Sequence, residues 1–290
     1  MRLVSFVDPG EPSVVRTGVV VDGEVVDLTD PAVALPGDMT DFLVAGPGAM
    51  ERADAAAGSR ARRMPLDRVQ LRPPVPRPAK VLGIGLNYAA HVAETGATRP
   101  EHQVWFNKQR TCVIGPGEAI EIPRVSAQVD YEGELAMVIG RRCRHVPAAG
   151  AASVVAGFTV ANDVTVRDWQ FRTPTWTLGK SFDTHGPTGP WIVTGDEIED
   201  PHGLRLRTWV NGDLRQDAST DDMIFSCWEQ IEYLSTVFTL EPGDVISTGT
   251  PAGVGTSFDP PRWLVEGDVV RIDIERVGTL ENRVVAEPAP

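Results

Sequence analysis

At 290 residues the chain has room for one large domain, or for one domain with a small companion. Its 42% hydrophobic content is that of an ordinary globular protein, and no apolar run approaches the ~20 residues that span a bilayer. A formal net charge of −13 argues against nucleic acid and anionic membrane as partners, since both call for basic patches.

The opening run from Met1 to Val7 reaches Asp8-Pro9-Gly10 too soon for a signal peptide. The three cysteines, Cys112, Cys143 and Cys227, are widely spaced and form no Cys-x-x-Cys. Free thiols in a cytoplasmic protein are expected.

Valines 14 to 26, broken by Asp22-Gly23, predict a hairpin. Helical stretches are expected over Met39 to Ala45 and Ala49 to Ala57. Together they suggest a small N-terminal α+β domain over residues 1–72. Pro-rich residues 73–79 suit neither helix nor central strand and predict a linker. Residues 80–290 then form the main domain.

In that domain Val81 to Ile84 predicts a buried strand. Residues 91–103 hold His91 and the turn-rich Thr95-Gly96-Ala97-Thr98-Arg99-Pro100, the composition of a lid. Further strands are expected at Val104 to Phe106, Glu134 to Ile139, Phe158 to Ala161, Val245-Ile246 and Val269 to Ile274. Helices are expected at Ala148 to Ala156 and at Asp222 to Thr239, where Ile224, Trp228, Ile231, Leu234 and Phe238 recur at helical spacing. Strands outnumber helices without regular alternation, which favours an α+β fold with a mixed, curved sheet.

Several familiar signatures are absent. Gly179-Lys180-Ser181 lacks the earlier glycine of a phosphate loop, because position 174 is Pro174. Gly83-Ile84-Gly85 lacks the third glycine of a dinucleotide fingerprint. His91-Val92-Ala93-Glu94 is not a zinc-protease helix, and no nucleophile elbow occurs.

Glu132 and Glu134 are two residues apart at the start of an apolar strand, so their side chains share one face. Buried side by side, two carboxylates repel, and a divalent cation removes the conflict. With Asp163 beside them, oxygen-only ligation suits Mg²⁺, Mn²⁺ or Ca²⁺ better than zinc. A solvated strand face is the plain alternative for the two glutamates. A surface lysine is the plain alternative for Lys180, and a simple ion pair with Asp163 or Asp168 for Arg167.

Five stretches occur in order: Asn87-Tyr88-x-x-His91-x-x-Glu94; Tyr131-Glu132-Gly133-Glu134-Leu135-Ala136; Asn162-Asp163-Val164-Thr165-x-Arg167-Asp168; Gly179-Lys180-Ser181-Phe182-Asp183; and Ser247-Thr248-Gly249-Thr250-Pro251-x-Gly253-Val254-Gly255. The set resembles the fumarylacetoacetate hydrolase family, in its bacterial branch with a small N-terminal domain. The resemblance implies a β-roll fold, a Mg²⁺ or Mn²⁺ site at Glu132, Glu134 and Asp163, a His91–Glu94 pair on a lid, and Lys180 as a polar partner of the substrate. It also implies a homodimer acting on 2-oxo or 2,4-dioxo acids. Tyr88, Arg167, Gln170 and Thr250 are candidate substrate contacts. Gln109 and Arg110, in a run that departs from the family pattern, are candidates to reach the pocket. The expected reaction is hydrolysis of a C–C bond in an acylpyruvate-type acid. Isomerisation and decarboxylation are close chemical neighbours, and a metal-binding protein without turnover is the rival of another class.

Overall fold

The computed structural model describes residues 1–289. Its α+β class is the one expected. The strands form open, mixed sheets, each ending in edge strands. The larger sheet runs from Arg63–Pro65 through Glu24–Asp27, Val15–Val21, Arg2–Val7, Gly186–Thr194, Val155–Asn162, Gly133–Ile139 and Val245–Ser247 to Val81–Gly85 and Val104–Lys108. Only Val245–Ser247 and Val81–Gly85 pair in parallel along this path. A five-stranded sheet orders Asp213–Ser219, Arg205–Val210, Val269–Ile274, Gly278–Ala286 and Ile120–Ile122.

The Gly133–Ile139 strand organises the interior. All seven of its residues are buried. Alternation sends Leu135, Met137 and Ile139 into the core that also holds Leu206, Ile272 and Leu280. Ala136 and Val138 face the opposite way, into a second core with Phe42, Ala49 and Ala53. A strand covered on both faces needs apolar residues throughout, as this sequence provides.

The N-terminal segment shares this framework. Arg2–Val7 pairs with Gly186–Thr194, and Arg72 N and Ser5 Oγ bond across to Ser5 O and Pro74 O. Val75 of the Pro-rich stretch is buried. Asp22 and Gly23 take positive φ (50° and 80°) and close the hairpin between Val15–Val21 and Glu24–Asp27. That is the two-residue turn whose twist matches the strands.

Two expected helices differ. Ala148–Val154 is 3-10 rather than α. Gly150 lies in its middle, and it runs straight into the Val155–Asn162 strand. The expected Asp222 to Thr239 helix is Cys227–Val237, because Ser226 and Glu229 form a capping box that fixes its start. Its buried residues, Cys227, Gln230, Ile231, Leu234 and Ser235, still follow helical spacing. Among the described residues no helix is long and apolar enough to cross a membrane.

Candidate functional site

Antiparallel pairing assembles the three carboxylates. Gly133 stands opposite Asn162, so the start of one strand meets the end of the other. Asn162 Oδ1 accepts from Glu132 N at 3.0 Å, and Asp163 N donates to Glu132 O at 2.9 Å. Glu132, Glu134 and Asp163 are thereby brought together. One oxygen of each lies within 4.8 Å of the others, and all three residues are at least nine-tenths buried.

Their charge compensation is uneven. Lys180 Nζ lies 2.7 Å from both Glu132 Oε2 and Asp163 Oδ2. Arg167 Nη1 lies 2.6 Å from Glu132 Oε1, and Lys108 Nζ lies 2.6 Å from Asp163 Oδ1. Glu134 receives Gly249 N at 2.9 Å but has no cation against it among the described residues. Burial would raise the Glu132 carboxyl, yet Lys180 and Arg167 outweigh it and hold the group at about 2. Burial, with Asp163 and Glu132 nearby, pushes Glu134 well above the usual carboxylate range.

Asp130 completes the cluster. It accepts from Arg167 Nε at 2.8 Å, Gly255 N at 2.7 Å and Thr256 N at 2.9 Å. Four buried carboxylates thus face three buried cations, one negative charge over. A dication would turn that balance to one positive charge, the complement of a monoanionic acid. With donors that are all carboxylate oxygens, the residues fit a hard cation such as Mg²⁺ or Mn²⁺.

A cavity of about 280 Å³ opens onto this cluster. His91, Arg167, Gln170, Lys180 and Thr250 line it, together with Glu132 and Glu134. His91 sits on the Ala89–Thr95 helix, which ends at Gly96 in the left-handed region (φ 67°). Its Nδ1 lies 3.2 Å from Glu94 Oε2, and Glu94 Oε1 accepts from Gly253 N at 2.9 Å. Gln170 Oε1 accepts from Arg167 Nη1 at 3.0 Å. Thr250 Oγ1 donates to Gly133 O and accepts from Gln216 Nε2 at 2.8 Å.

Other expectations fall elsewhere. Tyr88 is fully buried and is not part of the lining, so the structure does not bring it to the cavity. It stands at the start of the Ala89–Thr95 helix, where its backbone bridges to Met223. Gln109 and Arg110 are exposed just past the Val104–Lys108 strand, where a 3-10 turn over Arg110–Cys112 begins; Lys108 is buried instead. Arg167 pairs with Asp130 and Glu132 rather than with Asp163 or Asp168.

Sequence reading missed Lys108, Asp130 and Gln216. The alternation of the Val104–Lys108 strand, with Phe106 and Lys108 buried and Asn107 exposed, was the available signal for Lys108. For Gln216, buried on a strand from the other sheet, there was none.

A family model described as fumarylacetoacetate (FAA) hydrolase C-terminal matches residues 80–285. The chain belongs to the fumarylacetoacetate hydrolase family. Among its relatives, a mitochondrial protein of Rattus norvegicus named oxaloacetate tautomerase is 43% identical over 289 residues, covering 98% of this chain and 92% of the relative. A solved 5-carboxymethyl-2-hydroxymuconate delta-isomerase from Mycobacterium smegmatis superposes with a TM-score of 0.79 at 38% identity, covering both chains completely. The structure of maleylpyruvate hydrolase from Sphingobium sp. SYK-6, in complex with manganese(II) and pyruvate, gives 0.82 at 33% identity over 99% of this chain and 100% of that one. Fumarylacetoacetate hydrolase family members are therefore enzymes of several reaction types.

Proposed function

We propose that this chain is a divalent-metal-dependent tautomerase of a small 2-oxo acid of the oxaloacetate type. The observation that carries the reading is the buried, under-compensated carboxylate triad facing His91 across one small cavity. The 43% identity to a tautomerase over nearly the whole chain supports the choice of reaction.

Glu132, Glu134 and Asp163 would hold Mg²⁺ or Mn²⁺, which supplies Lewis-acid polarisation of a 2-oxo group. The protein's own residues account for the proton traffic. Tautomerisation moves a proton between C3 and the C2 oxygen. His91, held at Nδ1 by Glu94, leaves Nε2 to take and return the C3 proton. The Glu94 carboxylate stabilises the imidazolium that forms. Lys180 keeps one N–H beyond its two carboxylate contacts for the developing negative charge on oxygen. Gln170, fixed by Arg167 through its carbonyl, offers its amide N–H groups to the substrate carboxylate.

A second reading, C–C hydrolysis of an acylpyruvate-type acid, is favoured by the His91–Glu94 pair, because a carboxylate-backed imidazole also suits activation of water. In that case the same histidine takes a proton from water, the hydroxide adds to the C4 carbonyl, and C3–C4 cleavage releases a carboxylic acid and an enolate that takes the proton back from the imidazolium. A homodimer is part of the proposal, on family resemblance.

The test is to supply Mn²⁺ with oxaloacetate and, separately, with acetylpyruvate. Accelerated enol–keto relaxation of oxaloacetate without CO₂ release supports tautomerisation. Acetate release from acetylpyruvate, with oxaloacetate unaffected, moves hydrolysis to first place. CO₂ release indicates decarboxylation, and no turnover of either acid removes both readings.

A further inference from the structure

The cavity lining is of two chemical kinds. Carboxylates, Lys180 and His91 make one part. Phe106 and Trp176 make an aromatic part. We propose that the Trp176 indole is the wall that limits the length of the substrate beyond its 2-oxo acid head, making Trp176 a specificity-determining residue. The inference rests on the 2-oxo acid reading above and adds the size class to it.

Three observations support the wall. First, the indole occupies the space that a side chain at position 85 would need. A Cβ built on Gly85 would overlap the ring, so a glycine here admits the indole and lets it close one side of the cavity. Second, the ring packs against Phe106, with centroids 6.0 Å apart and planes tilted by 57°. The Lys180 ammonium lies 4.9 Å from the Phe106 centroid. Wall and polar head group are thus joined through one shared ring. Third, the backbone is fixed where the wall stands. Trp176 has φ 59°, a left-handed conformation that a residue with a side chain keeps only where its surroundings hold it. Lys180 N donates to Trp176 O at 3.2 Å, tying the wall to the residue that faces the carboxylates.

The wall therefore favours a 2-oxo acid with a short remainder, such as a four-carbon diacid, over one with a ring directed toward Trp176. Trp176 itself is only partly buried, so its truncation removes the wall without emptying the core.

The experiment is calorimetric titration of the Mn²⁺-loaded protein with two acids, oxalate and phenylglyoxylate. For Trp176→Ala, phenylglyoxylate is expected to bind about 10-fold or more tighter than to the wild type, the scale of a gained apolar contact, with oxalate within about 3-fold. Trp176→Phe should fall between. Unchanged oxalate affinity doubles as the control that the site is intact. Phenylglyoxylate affinity that stays level or weakens in Trp176→Ala overturns the wall while the 2-oxo acid reading survives. Failure of oxalate to bind the wild type overturns the 2-oxo acid reading, and the wall with it.

Discussion

Lys108 donates to Asp163 Oδ1 across 2.6 Å, with both side chains almost wholly buried. A second bond from Lys108 to Val164 O, at 3.2 Å, fixes the ammonium beside the carboxylate. Asp163 is thus gripped on one oxygen by Lys108 and on the other by Lys180. Its carboxylate plane is set before anything binds, and that is what a ligand with a demanding geometry needs.

Replacing Lys108 with Met should destabilise the metal-free protein by about 3–5 kcal/mol, because it strands a buried carboxylate with one cation instead of two. A bound dication supplies the missing positive charge. Saturating Mn²⁺ should therefore raise the stability of Lys108→Met by more than it raises that of the wild type. Denaturant midpoints measured with EDTA and with Mn²⁺ check both halves. Equal increments in the two proteins would show that Lys108 does not share the electrostatics of the triad.

Glu134 has the opposite surroundings. Its carboxyl is raised by burial and by two like charges, so ionising it in the metal-free folded state is unfavourable. Glu134→Gln removes the charge and can still accept from Gly249 N. In EDTA this variant should be more stable than the wild type, on the order of 1 kcal/mol or more. Its Mn²⁺ affinity, read by calorimetry, should fall. A variant less stable than wild type in EDTA would refute the conflict among the three carboxylates.

Glu94 joins the Ala89–Thr95 helix to the loop at Gly253, since one oxygen meets His91 and the other Gly253 N. Burial would raise its carboxyl, but these partners outweigh it and hold the group below the usual range. It therefore stays ionised at neutral pH, ready to back an imidazolium. Glu94→Gln keeps an acceptor for Gly253 N and loses that charge. Turnover of oxaloacetate should drop about 10²-fold, the scale of a positioned acid–base pair, while Mn²⁺ binding is unchanged. Full activity in the variant would take the dyad out of the reaction.

How much of this was legible depends on the distance over which each signal acts. Glu132 and Glu134 announce a shared face through spacing alone, and Asp163 follows an apolar run that ends beside them. The buried strands from Val81, Gly133, Val155 and Val269 are equally local patterns. Lys108 is a different case. Strand alternation with Phe106 marks it as inward-facing, but its partner lies 55 residues away and no local pattern names it. Arg167 has an acid next door in Asp168, yet it pairs with Asp130 because Val129–Asp130 lies antiparallel to Thr165–Val166. Asp168 is left to accept from Ser126 Oγ. Such choices are made by sheet register, which the local sequence does not state. Ala148 to Ala156 failed for a local reason: Gly150 weakens the α form in a run of only seven residues, too short to propagate before the Val155–Asn162 strand begins.

His185 gives a pH dependence separate from the carboxylate cluster. Its Nε2 bonds to Glu121 O at 2.8 Å, which assigns the proton there, and its Nδ1 is buried without a partner among the described residues. Burial pushes the imidazole from 6.5 down to about 4. The folded pKa is depressed, so the unfolded chain takes up the proton first as pH falls. The neutral ring's contribution is thus fully present above about 6.5 and is lost between there and about 4, some 3 kcal/mol in all. His185→Gln retains a donor for Glu121 O and cannot titrate. Between pH 7 and pH 4.5 the wild type should lose about 2 kcal/mol more than this variant, measured by urea unfolding of both at each pH. Other acidic groups titrate over the same range, but they are common to the two proteins and cancel in the comparison. Parallel losses in the pair would mean that His185 takes up its proton in the folded state as readily as in the unfolded one.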